Sequence, residues 1–536
     1  MSASVKRLAG LCTTLLVTTV GAAAAAGPDL RLVNAAADQD TAAVRALLKQ
    51  GVDVNAARAD GATALLWAAH WNDLETVDLL LRAHAKVNAA DDHGVTPLAQ
   101  ACENASQPIV DKLLAAGANP NAAERSGLTP LMIAARTGTV GIVKALLAHG
   151  ARVDAESETK NNALMWAVSE RHRDVVALLL EARADVHASS AKGFTPLGFA
   201  ARNGDIETAK LLIAAGANAN DPGSDQTHPL AFSIISGHPA FALFLLDQGA
   251  DPNARMAGVT ALHAAAGGVD LWLGDWFRRH GRDRNGSGGF GTVNIDPARR
   301  LELVRALLAR GANVNARTTT SAMIMNYIGY PKKGAFEPFA CGTGDLRGAT
   351  PLWVAGYAAN GGAFGGGFYG GRIETSTDII RTLLAAGADQ HLTTDDGTTP
   401  FMVAAGLGRS TYTPRKPRGD RSIGAEEAVK VLLEAGANIN QVNEADFNAL
   451  HGAAMRGLNE VVEFLVQHGA NIDARDFRGR TAYRLAEGSK QSFQFQDWPE
   501  TAALLKKLGA NIRLGIPGTV QERVRDVPAA AAQQQQ

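Results

Sequence analysis

The chain has 536 residues, 46% of them hydrophobic and 20% charged, which is enough apolar material to bury a sizeable core. Its formal net charge is −1, which excludes the strong overall field that would steer a protein to nucleic acid or to an anionic membrane surface. Only three cysteines are present, so we expect the fold to hold without a disulfide framework.

The first 26 residues have the pattern of a secretory signal. Two basic residues precede an apolar run, and the alanine-rich stretch before Gly27 offers several A-x-A cleavage sites. We therefore expect cleavage near Gly27 and a periplasmic or secreted mature protein. An uncleaved membrane anchor is the alternative, because residues 8–26 could just span a bilayer. A lipid anchor on Cys12 is disfavoured, because Leu11 stands where a small residue is required.

Residues 127–155, GLTPLMIAARTGTVGIVKALLAHGARVDA, contain the pattern that recurs along the chain. Thr129 can cap a helix whose first residue is Pro130, because proline is preset for that position and its missing amide would be unpaired there. Gly138 is expected to end this helix. A second helix is predicted over about 141–148, where apolar residues fall on one face.

Gly150 supplies the left-handed residue that closes the second helix. This closing position recurs at intervals of 33 residues and then at longer intervals, at Gly51, His84, Gly117, Gly150, Arg183, Gly216, Gly249, Gly311, Gly387, Gly436, Gly469 and Gly509. A 33-residue period with two short helices and a TPL start resembles the ankyrin repeat, whose signature includes T-P-L-H-x-A. The resemblance covers about 29–512. It implies an all-α solenoid of about twelve helix-turn-helix repeats with short extended or hairpin arms.

The repeats differ in regularity along the chain. We expect a signal peptide at 1–26, an N-terminal cap at 29–56, regular repeats at 57–255, repeats with long insertions at 256–440, a regular repeat at 441–473, a C-terminal cap at 474–512 and a disordered tail at 513–536. Three insertions fall between the two helices of their repeats, at about 268–297, 359–374 and 408–423. A fourth lies in the arm between Asn315 and Leu352.

The insertions are rich in aromatic residues and glycine, and the one at 408–423 is basic. Such compositions favour contact surfaces, and repeat insertions often lie on the binding face. The predicted partner-contact residues are Trp272, Trp276, Phe277, Tyr327, Tyr330, Phe336, Phe339, Phe364, Phe368, Tyr369, Tyr412, Arg415, Lys416 and Arg418. The alternative is that the rings form a small core that holds the loops down, and that the basic run is a solvated loop.

A search for chemistry finds no catalytic motif. Two GxGxxG matches lie in glycine-rich insertions without a flanking strand and helix, so they do not indicate a dinucleotide site. His263 and His451 occupy the T-P-L-H position, where we expect hydrogen bonds between neighbouring repeats rather than metal binding. Cys102 is expected in the core, and Cys341 in an insertion is the plausible reactive thiol. No cofactor or metal site is predicted.

These observations favour an exported, non-catalytic scaffold that binds another protein through its concave face and its aromatic insertions. Glycan or cell-wall binding, with sugars stacked on Trp272, Trp276 and the tyrosines of the insertions, is the alternative. An enzyme with an unrecognised site is the third class. We expect a monomer with no nucleic-acid partner and no membrane span after cleavage of the signal.

Overall fold

The computed structural model describes residues 29–269, 272–280, 295–320, 346–360, 377–408, 421–488 and 497–515. The predicted signal therefore lies outside the described residues, as does most of the predicted tail. The chain divides into two compact blocks, Met1–Arg125 and Ser126–Gln536.

The first block contains three helix pairs in its described residues, which we number repeats 1 to 3. They are α1 Arg31–Ala37 with α2 Thr41–Lys49, α3 Ala64–His70 with α4 Leu74–Arg82, and α5 Pro97–Glu103 with α6 Gln107–Ala115. The first helix of each repeat packs against its own second helix and against the first helix of the next repeat. The result is two layers of helices with an apolar core between them.

The described part of the second block contains nine further pairs, repeats 4 to 12, and one extra helix, α16. The pairs are α7 Pro130–Thr137 with α8 Val140–Ala148, α9 Ala163–Ser169 with α10 Arg173–Glu181, α11 Pro196–Asn203 with α12 Ile206–Ala214, α13 Pro229–Ile235 with α14 Pro239–Asp247, α15 Ala261–Ala266 with α17 Pro297–Ala309, α18 Pro351–Ala359 with α19 Thr377–Ala385, α20 Pro400–Ala404 with α21 Ile423–Glu434, α22 Ala449–Arg456 with α23 Asn459–Gln467, and α24 Ala482–Ala486 with α25 Pro499–Lys507. The extra helix is α16, Gly274–His280. Twelve pairs confirm the predicted solenoid.

Extended structure is limited, in the described residues, to short hairpin arms. One arm forms the antiparallel strands β1 Arg255–Met256 and β2 Val259–Thr260, in which Arg255 pairs with Thr260. Two other arms contribute isolated bridges. The all-α class with hairpin arms is therefore confirmed.

The local signals in repeat 4 act as the sequence predicts. The Thr129 hydroxyl accepts a hydrogen bond from the Met132 amide at 3.3 Å, and Pro130 is the first residue of α7. Gly138 ends α7 with a left-handed φ of +77°. A Cβ at that position would lie 2.4 Å from the ring of His172, so glycine is required for packing as well as for backbone conformation.

The closing position of each second helix has one backbone conformation throughout. All twelve predicted positions have positive φ, from +62° at His84 to +109° at Gly216. Arg183 also adopts it, with φ of +63°. A side chain is strained in this region, whereas glycine is not, which explains why glycine occupies the other ten positions.

Asparagine side chains join successive arms even where long insertions separate them in sequence. The Asn253 amide donates to the carbonyl of Gly311 at 3.0 Å and its oxygen accepts from the Asn313 amide at 2.7 Å. Asn315 makes the same pair of contacts to Gly387 and Asp389, at 3.2 and 2.8 Å. Repeats 7, 8, 9 and 10 are therefore stacked as neighbours, because the insertions between them leave these clamps intact.

The first insertion leaves repeat 8 at a short first helix that is capped from elsewhere in the repeat. α15 has six residues, and the guanidinium of Arg300 in α17 donates to the carbonyl of Ala264 at 2.9 Å. Arg300 is only 4% exposed. A buried cation thus satisfies the end of α15, where the chain departs to form α16.

Candidate interaction surface

The first helices of repeats 4 to 12 lie side by side, and together with the tips of the hairpins that precede them they form the surface that we call the inner surface. The hairpin tips are joined by backbone hydrogen bonds, for example from the Glu158 amide to the Ser126 carbonyl at 3.0 Å and from the Ala191 amide to the Thr159 carbonyl at 2.9 Å. The first helices of repeats 1 to 3 form an inner surface of their own. Side chains on these helices are therefore held on a rigid support.

On repeats 1 to 3 the inner surface carries an ordered pair of indoles, the Trp67–Trp71 platform. The two rings are stacked with centroids 6.4 Å apart and an interplanar angle of 23°. The Trp71 indole N–H donates to the Ala37 carbonyl at 2.9 Å, yet 42% of Trp71 remains exposed. The guanidinium of Arg58 lies 5.0 Å from the Trp67 ring and donates to the Asn34 side chain.

On repeats 4 to 6 the inner surface again combines arginine with aromatic rings. The guanidinium of Arg136 lies 5.6 Å from the Trp166 ring, and that of Arg202 lies 5.1 Å from the Phe199 ring. Arg202 also donates to the Ser169 hydroxyl at 3.0 Å, and burial lowers the pKa of Arg202 below its ordinary value. Arginine and aromatic residues are the types that dominate protein–protein binding energies.

On repeats 6 and 7 the inner surface is covered by α16. The Trp276 ring packs against Phe194, with centroids 6.1 Å apart, and against Phe232, with centroids 5.5 Å apart. Its indole N–H lies 3.0 Å from the carboxylate of Asp225 and 2.9 Å from the hydroxyl of Thr227. A helix from repeat 8 thus folds back on the preceding repeats.

His280, one turn after Trp276, completes this contact. Its ring stacks on Trp276 at 4.1 Å and its Nε2 lies 2.9 Å from the Asp225 carboxylate. Burial by itself lowers the pKa of His280, but the hydrogen bond to Asp225 and the charge of this residue outweigh burial, so the pKa is raised above its ordinary value. Burial raises the pKa of Asp225, but hydrogen bonds from His280 and Thr227 outweigh it, so that pKa is lowered.

Trp272 holds the start of the same insertion against repeat 9. Its indole N–H donates to the Leu346 carbonyl at 3.0 Å, and its ring meets the Trp353 ring edge-on at 5.8 Å. Trp272, Trp276 and Phe277 are 2%, 1% and 2% exposed, respectively.

Three of the predicted partner-contact residues can thus be placed, and all three are core residues. Their burial means that Trp272, Trp276 and Phe277 present no contact face in this conformation, and the alternative, rings that hold the loop down, describes them. The other predicted residues lie outside the described residues: Tyr327, Tyr330, Phe336, Phe339, Phe364, Phe368, Tyr369, Tyr412, Arg415, Lys416 and Arg418. Their contact role stays a prediction.

Two signals in the sequence were available but were not used. Trp272, Trp276 and His280 are four residues apart in turn, which indicates one face of a helix rather than an exposed loop. Trp67 and Trp166 stand at the same position of their repeats, separated by a multiple of 33 residues. An aromatic residue recurring at one place on the first helices marks the inner surface.

The two histidines at the T-P-L-H position bond as predicted. His263 Nε2 lies 3.0 Å from the Ala349 carbonyl of repeat 9, and His451 Nε2 lies 3.1 Å from the Ala474 carbonyl. Burial lowers the pKa of both rings. Cys102 is fully buried, and burial raises its thiol pKa, so it is the inert core residue that was expected. Cys341 lies outside the described residues.

Two searches of the described part of the chain returned nothing. No group of three or more His, Cys, Asp or Glu side chains is placed there to hold a metal ion. No helix in that part is both long and apolar enough to cross a membrane.

Comparison with known proteins gives partial matches among curated sequences and solved structures. The chain is 37% identical over 98 residues to a probable E3 ubiquitin-protein ligase, XBOS34, of Oryza sativa subsp. japonica, covering 18% of this chain and 16% of that protein. It is 35% identical over 110 residues to ankyrin repeat and SOCS box protein 16 of Homo sapiens, covering 20% and 21%. The chain thus matches about a fifth or less of the length of these relatives. A solved structure, the human ASB11 ankyrin repeat domain, matches with 31% identity and a TM-score of 0.34, covering 37% of this chain and 89% of that one.

Family profiles match longer stretches. The profile described as "Ankyrin repeats (3 copies)" matches residues 32–124, 109–190, 183–256 and 421–511, and the one described as "Ankyrin repeat" matches 396–444. The stretch that neither profile matches, 257–395, contains the first two insertions and the long arm. Together the matched stretches cover more than half of the chain, which therefore belongs to the ankyrin-repeat family of protein-interaction scaffolds.

Proposed function

We propose that this scaffold is exported and that it binds another protein through its inner surface, with the Trp67–Trp71 platform as an anchor. The insertions whose residues are not described are proposed to add contacts at 321–345, 361–376 and 409–420. Export is supported by the composition of residues 1–26. The family is generally non-catalytic, and the role proposed for this chain is binding.

The observation that carries the proposal is Trp71. An indole that is 42% exposed would normally be a liability, but this one is held by the stack on Trp67 and by its hydrogen bond to Ala37. A preorganised ring loses little rotamer entropy when a partner covers it. Tryptophan with a neighbouring arginine, here Arg58, is the composition typical of an interface hot spot.

Glycan binding had been the alternative on the strength of Trp272 and Trp276. Both rings are buried, so neither offers a sugar a face on which to stack. The described residues therefore favour a protein partner over a glycan.

The test is quantitative capture with the full mature chain as bait in an extract of the compartment to which it is exported. We compare wild type, Trp71→Ala and Val442→Ala. Val442 is 45% exposed on an arm, so its substitution controls for loss of exposed apolar surface. A partner should be recovered with wild type and with the control, and about 30-fold more weakly with Trp71→Ala, which corresponds to about 2 kcal/mol. Equal recovery with all three baits would contradict the platform as an anchor.

A further inference from the structure

The surface beneath α16 has the features of a groove that receives a helix. We call it the α16 groove, and it is lined by Lys192, Phe194, Asp225, Thr227 and Phe232. The two phenylalanine rings form its apolar wall, and both are buried only while Trp276 covers them in the manner described. One helix face laid into an apolar groove is the way in which many proteins recognise amphipathic helices.

The groove also has a polar end that specifies what it accepts. The Nδ1 of His280 lies 2.7 Å from the Trp276 carbonyl, while its Nε2 lies 2.7 Å from the Lys192 carbonyl and 2.9 Å from the Asp225 carboxylate. Because both ring nitrogens face oxygen acceptors, the imidazole fits this end as a charged double donor. An indole N–H and a cation placed one helical turn later therefore satisfy the acceptors of the groove.

We propose that the α16 groove is a docking site for an amphipathic helix of a partner protein that presents an aromatic N–H donor and, four residues later, a cationic side chain. In the structure α16 occupies this site as an intramolecular competitor. Docking by a partner rests on the proposed binding function, whereas the recognition of such a helix can be tested with the chain's own segment.

The competition has a size that can be measured. A tethered segment acts at an effective concentration in the millimolar range. If the same segment, supplied as a free peptide, binds the empty groove with a Kd on the order of 10 µM, docked α16 makes the intact chain bind that peptide about 100-fold more weakly. Loosening α16 should therefore increase binding in trans.

The probe is a synthetic peptide of residues 268–296, measured by calorimetry or fluorescence anisotropy against four forms of the full mature chain. These are wild type, Trp276→Ala, Arg279→Ala and a variant in which 270–294 is replaced by a short glycine-serine linker. Arg279 is exposed on α16, so its substitution is the matched control. We expect the linker variant to bind most tightly, Trp276→Ala to bind at least tenfold more tightly than wild type, and Arg279→Ala to match wild type.

A second peptide carrying Trp276→Ala tests whether the indole is recognised, and it should bind at least tenfold more weakly than the first. Equal binding of the two peptides to the linker variant would overturn the proposal. If the linker variant does not fold, as judged by its circular dichroism, the intact chains decide, and Trp276→Ala no better than wild type would then overturn it. These outcomes do not depend on Trp71, so the proposed function can fail while the groove stands, and the reverse.

Discussion

Acidification should destabilise the junction of repeats 8 and 9 through His263, which is fully buried. Its Nε2 lies 3.0 Å from the Ala349 carbonyl and its Nδ1 lies 3.2 Å from the Thr260 amide, so the ring fits as the neutral tautomer with its proton on Nε2. Protonation of Nδ1 would set two donors against each other. Burial accordingly lowers the pKa of His263 from 6.5 to about 4.

The sign and size of the effect follow from proton linkage. Between pH 6.5 and about 4 the unfolded chain takes up a proton at His263 that the folded chain refuses, so the free energy of unfolding falls as the pH falls. At 1.36 kcal/mol for each pKa unit, the loss is about 3 kcal/mol at the end of this window and about 2 kcal/mol at pH 5.

The assay is urea unfolding at pH 7.5 and pH 5, with hydrogen exchange of α15 and α18 as the local readout. The comparison is His263→Met, because Met402 stands at the equivalent place in repeat 10. At pH 7.5 the variant should be less stable by roughly 1–3 kcal/mol, since the hydrogen bonds of the imidazole are lost. At pH 5 this gap should shrink by about 2 kcal/mol. A gap that is the same at both pH values would refute the reasoning.

Four other predictions follow from the fold. Arg183→Gly should raise the free energy of unfolding by about 0.5–1 kcal/mol in urea melts, because relief of the left-handed strain exceeds the entropy cost of glycine, and a loss of stability would contradict this. Asn315→Ala should cost about 1–2 kcal/mol in the same assay, because two hydrogen bonds between arms are lost, and an unchanged midpoint would show that the clamp is dispensable. Replacing 409–420 with a short turn should change stability by less than about 1 kcal/mol, since loop closure depends weakly on length, and a larger loss in thermal melts would reveal packing of that segment. Mass spectrometry of the protein from its natural source should find an N-terminus near Gly27, and intact Met1 would contradict cleavage of the signal.

What could be read from the sequence depended on whether the physical cause was local. Thr129, Pro130, Gly138 and Gly150 act within a few residues of themselves, so their roles in capping and closing helices were predictable. The twelve repeats followed from the spacing of such positions. In these cases the structure confirmed both the identity of the element and its approximate limits.

The candidate site was less predictable, because it depends on contacts between distant residues. Whether Trp276 is an exposed contact or a core ring is decided by Asp225 and Thr227, which lie about 50 residues earlier in the chain. Composition shows that the insertion is aromatic and cannot show which surface those rings meet. The Trp67–Trp71 platform was missed for the related reason that the repeat signature draws attention to the conserved frame of each repeat rather than to its variable positions.

The asparagine clamps at Asn253 and Asn315 have a consequence for engineering. Each fixes the spacing of adjacent repeats through the arms, at a distance from the points where the insertions leave and rejoin the helices. The helix-to-helix junctions of repeats 9 and 10 are therefore natural acceptor sites for grafting, where a foreign peptide or a small folded module could be displayed without retuning the solenoid. The junction of repeat 8 is unsuitable, because α16 is bound to the surface of other repeats and a graft there would uncover the aromatic wall of Phe194 and Phe232.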